Sequence, residues 1–504
     1  MPNSLTRRQA LRMAGVGSAG VIVLAACGEA KPATVVTAVT TAATAQPAAT
    51  EAPKAAATAA VAAPKAGSVQ VRLVSDHTSG PRGAAMQWGL AEYAKRMPQI
   101  LVKFEPQPAD FIESFSIQMA AGTQAEVALL GDGVLGSFVA QGGFVKINDL
   151  LGKRPDWKKD DYYFTPDVMT VNYDHNRSLG KPAPTIIEGP QYGAPFQGAI
   201  AGLLINVTLS EKFGIPFPPD DKSWTYDGTF LEAAKKATSP DKSTWGTWAR
   251  QDFEFQWSEM CYGWGAKNLR DVNDSELTIF DNGGDQGLQF GVDLIHKHKV
   301  SFPIEDTKRI TGEFGDPFSA GQVWGWLSGR VYSSGFAVPR IKDRFKWSLA
   351  PMPRGPVGTP QHEYEDQPHL ITNGATRRGN VEQAVDLALF LAGPVFQGRV
   401  SIDRGHLPVF KDVLTKPEAI TPPPEGMKWL KVYADTPDHV HRMMMIPSTD
   451  EFFKFRTPID KAYAGESKAA QAIEEAKKLG RQIMADQKIQ MNKDRQALGF
   501  PPVP

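Results

Sequence analysis

The chain has 504 residues, more than a single hydrophobic core usually organises, so two domains or lobes are expected. Six of its 55 basic residues and two of its 55 acidic residues precede residue 67, which leaves 49 basic against 53 acidic beyond it, a formal charge of −4. Such a body gives no electrostatic reason to expect a nucleic-acid partner.

Arg7, Arg8 and Arg12 form a basic stretch, followed by an apolar run from Ala14 to Ala26 that ends in Leu24-Ala25-Ala26-Cys27. As a helix, about 13 residues span roughly 20 Å. That is too short for a bilayer core of about 30 Å and suits the apolar region of a signal peptide. Residues 1–26 therefore read as a signal peptide. Leu24 to Cys27 resembles the lipobox of bacterial lipoproteins, which implies a diacylglycerol on the Cys27 thiol and a mature chain starting there. Thr6 to Arg12 resembles a twin-arginine export signal, with Ala10 where that pattern usually has Phe; a general secretory route stays open. From 27 to 67 the sequence is mostly Ala, Thr, Pro and Val, with no aromatic residue, and it reads as a disordered linker interrupted by Pro32, Pro47, Pro53 and Pro64. Committing Cys27 to lipid leaves Cys261 without a disulfide partner. Beside Met260, Tyr262 and Trp264 it reads as a small buried apolar residue.

Strands and helices alternate from Ser68 onward. Val69 to Val74 alternates at period two and predicts a strand running into Ser75, Asp76 and His77. Met86, Leu90, Tyr93 and Ala94 share a helical face, the segment closes at Pro98, and Ile100 to Phe104 predicts a second strand. Asp110 to Ala121 reads as a helix stopped by Gly122, and Val127 to Leu130 as a third strand opening into Gly131, Asp132 and Gly133. This order predicts an α/β fold with a doubly wound sheet.

Several segments, in order, resemble the extracellular solute-binding proteins of ABC importers, family 1, the sugar-binding group that includes maltose-binding protein. They are Asp110 to Phe115, Met119 to Gly122, Gln141 to Leu150, Tyr192 to Pro195 and Leu203 to Asn206, then Glu211 to Trp224, Phe318 to Trp324, Pro351 to Pro356, Ala384 to Leu391 and Gly405 to Pro408. Departures include Ala125-Glu126 where the family usually has Pro-Asp, and Gln322 and Trp324 in a Phe-x-x-Gly-Lys-x-Ala-Met segment. The resemblance implies a two-lobed periplasmic-binding-protein-like fold whose lobes close over a ligand in the interlobe cleft, with several hinge crossings. By analogy, lobe one is placed at 68–195 plus 365–410 and lobe two at 196–364 plus 411–495, with a tail at 496–504 and crossings near Pro195 and Tyr364. A carbohydrate cargo, permease subunits as partners, a separate ATPase chain, a monomer and no cofactor follow from the same resemblance.

A sugar needs flat aromatic platforms with polar side chains at their edges. Five of the eleven tryptophans (Trp224, Trp245, Trp248, Trp257 and Trp264) fall between 224 and 264, and Trp257 and Trp264 are preferred for stacking. A tryptophan in a domain of this size is also a frequent core residue. Open α/β sheets bind ligands beyond the carboxyl ends of their strands, which nominates Ser75, Asp76, His77 and Asp132, the last being equally able to cap a helix. Gly335 and Phe336 stand where the family often has a Gly-Trp contact, and Asp366 and His369 lie near the second crossing.

Other chemistry finds little support. His296 and His298 point apart on a helix, which argues against a metal pair and for a solvated face. Asp271 to Ser275 resembles the start of a calcium loop, but Glu276 stands where that loop needs Gly, so a turn before a strand Leu277 to Phe280 is expected. Neither Gly152-Lys153 nor Gly180-Lys181 has the Ser or Thr of a phosphate loop, and no Gly-x-Ser-x-Gly or His-Glu-x-x-His occurs. A glycoside hydrolase with paired carboxylates, and a receptor for a non-sugar solute such as a polyol phosphate or a peptide, remain the alternatives.

Overall fold

The computed structural model describes residues 68–502, apart from 109, 131–137, 140, 164–190, 250–253, 272–274, 308–314, 328–332, 423, 437–439, 443–452 and 498–501. The expected signal peptide, Cys27, the expected linker and Asp132 lie outside the described residues.

Strand β1 (Val69–Ser75) turns Val71 and Leu73 into a core, as its period-two pattern requires. Helix α1 (Gly80–Arg96) starts with Pro81 in its first turn, where no amide donor is lost, and buries Met86, Gly89 and Tyr93. Strand β2 (Ile100–Pro106) returns parallel to β1, pairing Ile100 with Val69. Helix α2 (Phe111–Ala121) ends at Gly122, whose φ of 71° is the left-handed stop that a glycine makes cheaply. Strand β3 (Val127–Leu129) then pairs parallel with the other edge of β1. These are the elements that the sequence periodicity predicts.

Strand β4 (Gly193–Ile200) still belongs to this sheet, and β5 (Leu203–Asn206) opens the second. Asn206 caps the helix that follows, its side-chain oxygen accepting from the amide of Leu209 at 3.0 Å. Strand β6 (Trp245–Thr247) precedes helix α3 (Glu254–Trp264), helix α4 (Gly284–His296) and strands β7 (Val323–Leu327) and β8 (Trp347–Ala350). The second sheet has the order β6-β7-β5-β8, with β6 parallel to β7 and β5 antiparallel to both of its neighbours.

Strand β9 (His362–Ile371) brings the chain back, antiparallel to both β4 and β3. Helices α5 (Val381–Ala392) and α6 (Pro394–Asp403) pack on the first sheet, the ring of Phe396 lying against Gly89 so closely that a Cβ there would sit 2.3 Å from it. Strand β10 (Val440–Arg442) pairs parallel with the start of β9, and helix α7 (Ala469–Ala497) completes the second body. Among the described residues no single helix is long and apolar enough to cross a membrane.

The two sheets carry separate cores. Ala194 and Phe196 of β4 and Ile371 of β9 pack into the first, whereas Ile200 and Leu203 pack into the second. Two α/β lobes are thus joined by an antiparallel strand pair. One predicted element is corrected: Leu277 to Phe280 makes a single bridge, between Leu277 and Arg270, instead of a strand. The Asp271 carboxylate accepts from the amides of Ser275 and Glu276, tightening the turn, and the carbonyl of Phe280 accepts from Asp285 at the start of α4, so no length is left for pairing. His296 is exposed, as expected of a solvated face, and its Nε2 lies 2.9 Å from the carbonyl oxygen of Tyr463.

Candidate functional site

Between Phe196 in the first core and Ile200 in the second, β4 crosses from one lobe to the other. At that waist it carries Gln197, paired in register with Gln367 of β9. The amide Nε2 of Gln197 donates to Gln367 Oε1 at 3.1 Å, and its Oε1 lies 2.7 Å from His77 Nε2. A chain of uncharged polar side chains therefore runs from the end of β1 across both crossing strands. Local geometry fixes its first link: Ser75 is buried, and its Oγ accepts from the amide of His77 at 3.1 Å, turning the backbone as β1 ends. Beside it Asp76 is exposed and ion-paired with Arg82 of α1 at 3.2 Å, while Arg82 Nε also donates to the carbonyl of Gly405.

The ring of Phe196 is the hub of this region. His369 lies 3.8 Å from it between centroids, His77 4.9 Å and His406 5.0 Å. Gln397 holds the hub strand in place, donating to the carbonyl of Phe196 and accepting from the amide of Val409. Burial keeps all three imidazoles uncharged. It pushes His369 and His406 down to about 3, and His77 well below its ordinary value, with the nearby Arg82 charge adding to the effect. His77 Nδ1, both ring nitrogens of His369 and His406 Nε2 have no hydrogen-bond partner among the described residues. Buried polar atoms are rarely left in that state, so a water or ligand atom would be held well here.

In the second sheet, Trp248 follows the carboxyl end of β6 and Trp326 lies near that of the parallel β7, with ring centroids 5.2 Å apart. The indole nitrogen of Trp326 is buried without a partner among the described residues. Carboxyl ends of parallel strands are where open sheets receive ligands.

Of the residues nominated from sequence, Ser75, Asp76, His77 and His369 meet at the waist, and Asp366 stands opposite Gly198 in the strand register. Gly335 and Phe336 fall within the helix Ser333–Ile341. Trp257 is fully buried, stacked on Phe280 at 6.0 Å, and presents no ring face to solvent. Trp264 is half-buried in the second lobe, stacked on Phe290 at 5.1 Å at the edge of a cavity of about 520 Å³. Sequence reasoning missed Gln197, Gln367, Phe196 and His406. A signal was available for the first, since Gln197 is the one polar side chain in Gly193–Ile200, a strand buried along its whole length. Among the described residues no group of three or more His, Cys, Asp or Glu could hold a metal ion.

Comparison with known proteins gives a consistent result. The family model of the bacterial extracellular solute-binding proteins matches residues 77–395. A Brucella abortus protein named as a binding protein is 23% identical over 360 residues, covering 68% of this chain and 77% of its own length. The structure resembles the ABC substrate-binding protein of Listeria monocytogenes solved with cycloalternan, with a TM-score of 0.67 at 16% identity, over 86% of this chain and 100% of that one. It also resembles UgpB of Mycobacterium tuberculosis solved with glycerophosphocholine, with a TM-score of 0.65 at 16% identity, over 84% and 100% of the two chains. The chain belongs to the family of bacterial extracellular solute-binding proteins.

Proposed function

We propose that this protein is a lipid-anchored extracytoplasmic receptor that captures a carbohydrate between its lobes and delivers it to the permease of an ABC importer. The observation that carries the cargo class is the chain His77, Gln197, Gln367 at the waist, whose members are uncharged hydrogen-bonding groups. Such groups match a neutral, hydroxyl-rich solute better than a charged one. Ser75, Asp76, His77, Asp366 and His369 form the first-lobe wall of this site, Asp132 extends that wall, and Gly335 and Phe336 belong to the second-lobe side. Trp248 and Trp326, both packed in the second core, back the site from the second lobe. Lobe one comprises 68–195 and 365–410, and lobe two 196–364 and 411–495, except that Phe196 packs into the first core and β10 pairs with the first sheet. Residues 1–26 direct export, by a twin-arginine-like signal, and Cys27 carries the lipid at the head of a linker reaching to residue 67.

Thermal unfolding against a panel of sugars and oligosaccharides tests the cargo. A ligand at about 100 times its Kd should add about 2.7 kcal/mol, a clear and saturable rise in Tm. Recovery of the sugar unchanged would argue against a glycoside hydrolase. If no carbohydrate shifts the transition, the cargo is not a carbohydrate.

A further inference from the structure

The cavity that Trp264 borders is separate from the waist: every residue around it belongs to the second lobe and none to the crossing strands. Its volume of about 520 Å³ lies within the range of small-molecule sites. Leu231, Trp264, Phe290 and Ile473 give it an apolar wall. Phe290 is stacked on Trp264 and Tyr226 leans against it at 5.6 Å, so the indole belongs to that wall more than it offers a platform for a sugar ring.

The rim is unbalanced in charge. Asp293 accepts from Gln289 at 2.7 Å and pairs with Lys297 at 3.4 Å, so its charge is already answered. Asp227 and Asp285, both exposed at the same cavity, have no hydrogen bond or ion pair to their carboxylates among the described residues. His298, the remaining titratable group at the rim, is shifted toward its neutral form by burial and by the charge of Lys297.

We propose that this cavity binds a small amphipathic cation, an ammonium group on an apolar tail, with the tail against Trp264 and Phe290 and the charge between Asp227 and Asp285. An apolar wall holds the tail by excluding water, and two unanswered carboxylates select against neutral and anionic analogues of the same shape.

Calorimetric titration of the full-length protein in a nonionic detergent tests this with three compounds of one shape: 2-phenylethylamine, 2-phenylethanol and phenylacetate. The amine should bind saturably, the alcohol about tenfold more weakly and the acid not at all, and added salt should weaken the amine. The double variant Asp227→Asn, Asp285→Asn should lose about five- to tenfold in affinity for the amine and none for the alcohol. Absence of saturable heat with the amine, equal binding of amine and alcohol, or undiminished amine binding in the double variant would overturn the assignment.

Discussion

His369 is fully buried, yet neither of its ring nitrogens is hydrogen-bonded among the described residues, and it shares the Phe196 ring with His77 and His406. The consequence is a stability that depends on pH. In the unfolded chain each imidazole titrates near about 6.5, whereas in the folded protein His369 and His406 titrate at about 3. These groups are depressed on folding, so their contribution is complete above about pH 6.5. It is lost as pH falls toward 3, because the unfolded chain takes up protons that the folded one refuses. Each such histidine removes up to about 1.4 kcal/mol per pH unit below 6.5. Urea unfolding between pH 7 and pH 4 should show this decline, and His369→Leu should make it shallower while leaving stability at pH 7 within about 1 kcal/mol, since no described hydrogen bond is lost. A decline of equal slope in the variant would contradict the burial account.

At the scale of elements, the β4 and β9 pair does two jobs, holding the lobes together and displaying Gln197 and Gln367. Phe196 anchors β4 in the first core, against Phe396 as well as the histidines. Phe196→Ala should cost about 3–5 kcal/mol in denaturant unfolding, the range for a buried aromatic truncated to leave a cavity. A loss under about 1 kcal/mol would mean that the region collapses around the smaller side chain. The first strands and helices were legible because their apolar spacing follows from local geometry: Val71 and Leu73 at period two, Met86 and Tyr93 one helical face apart. The failed strand at Leu277 to Phe280 shows the limit of that reasoning. An alternating tetrapeptide permits pairing, but the turn at Asp271 and the helix beginning at Gly284 decide whether any length is available for it.

At the scale of the molecule, a receptor serves an importer best when it stays near it. The proposed lipid on Cys27 would keep its local concentration at the membrane high. Cys27→Ser should therefore move the protein from the membrane fraction to the soluble fraction without changing its unfolding midpoint, read by fractionation and thermal melting. Persistence of the variant in the membrane fraction would contradict the lipid anchor. The sequence by itself determined the class of fold and put Ser75, Asp76 and His77 at the end of the first strand, because the spacing that predicts each element is local. Only the tertiary structure decided which tryptophans face the core and which partner each polar side chain finds. Trp257 and Trp264 are seven residues apart, yet one is sealed against Phe280 and the other borders a cavity. Gln197 meets Gln367 across 170 positions. Contacts of that kind depend on how two distant strands register, which no window of sequence contains.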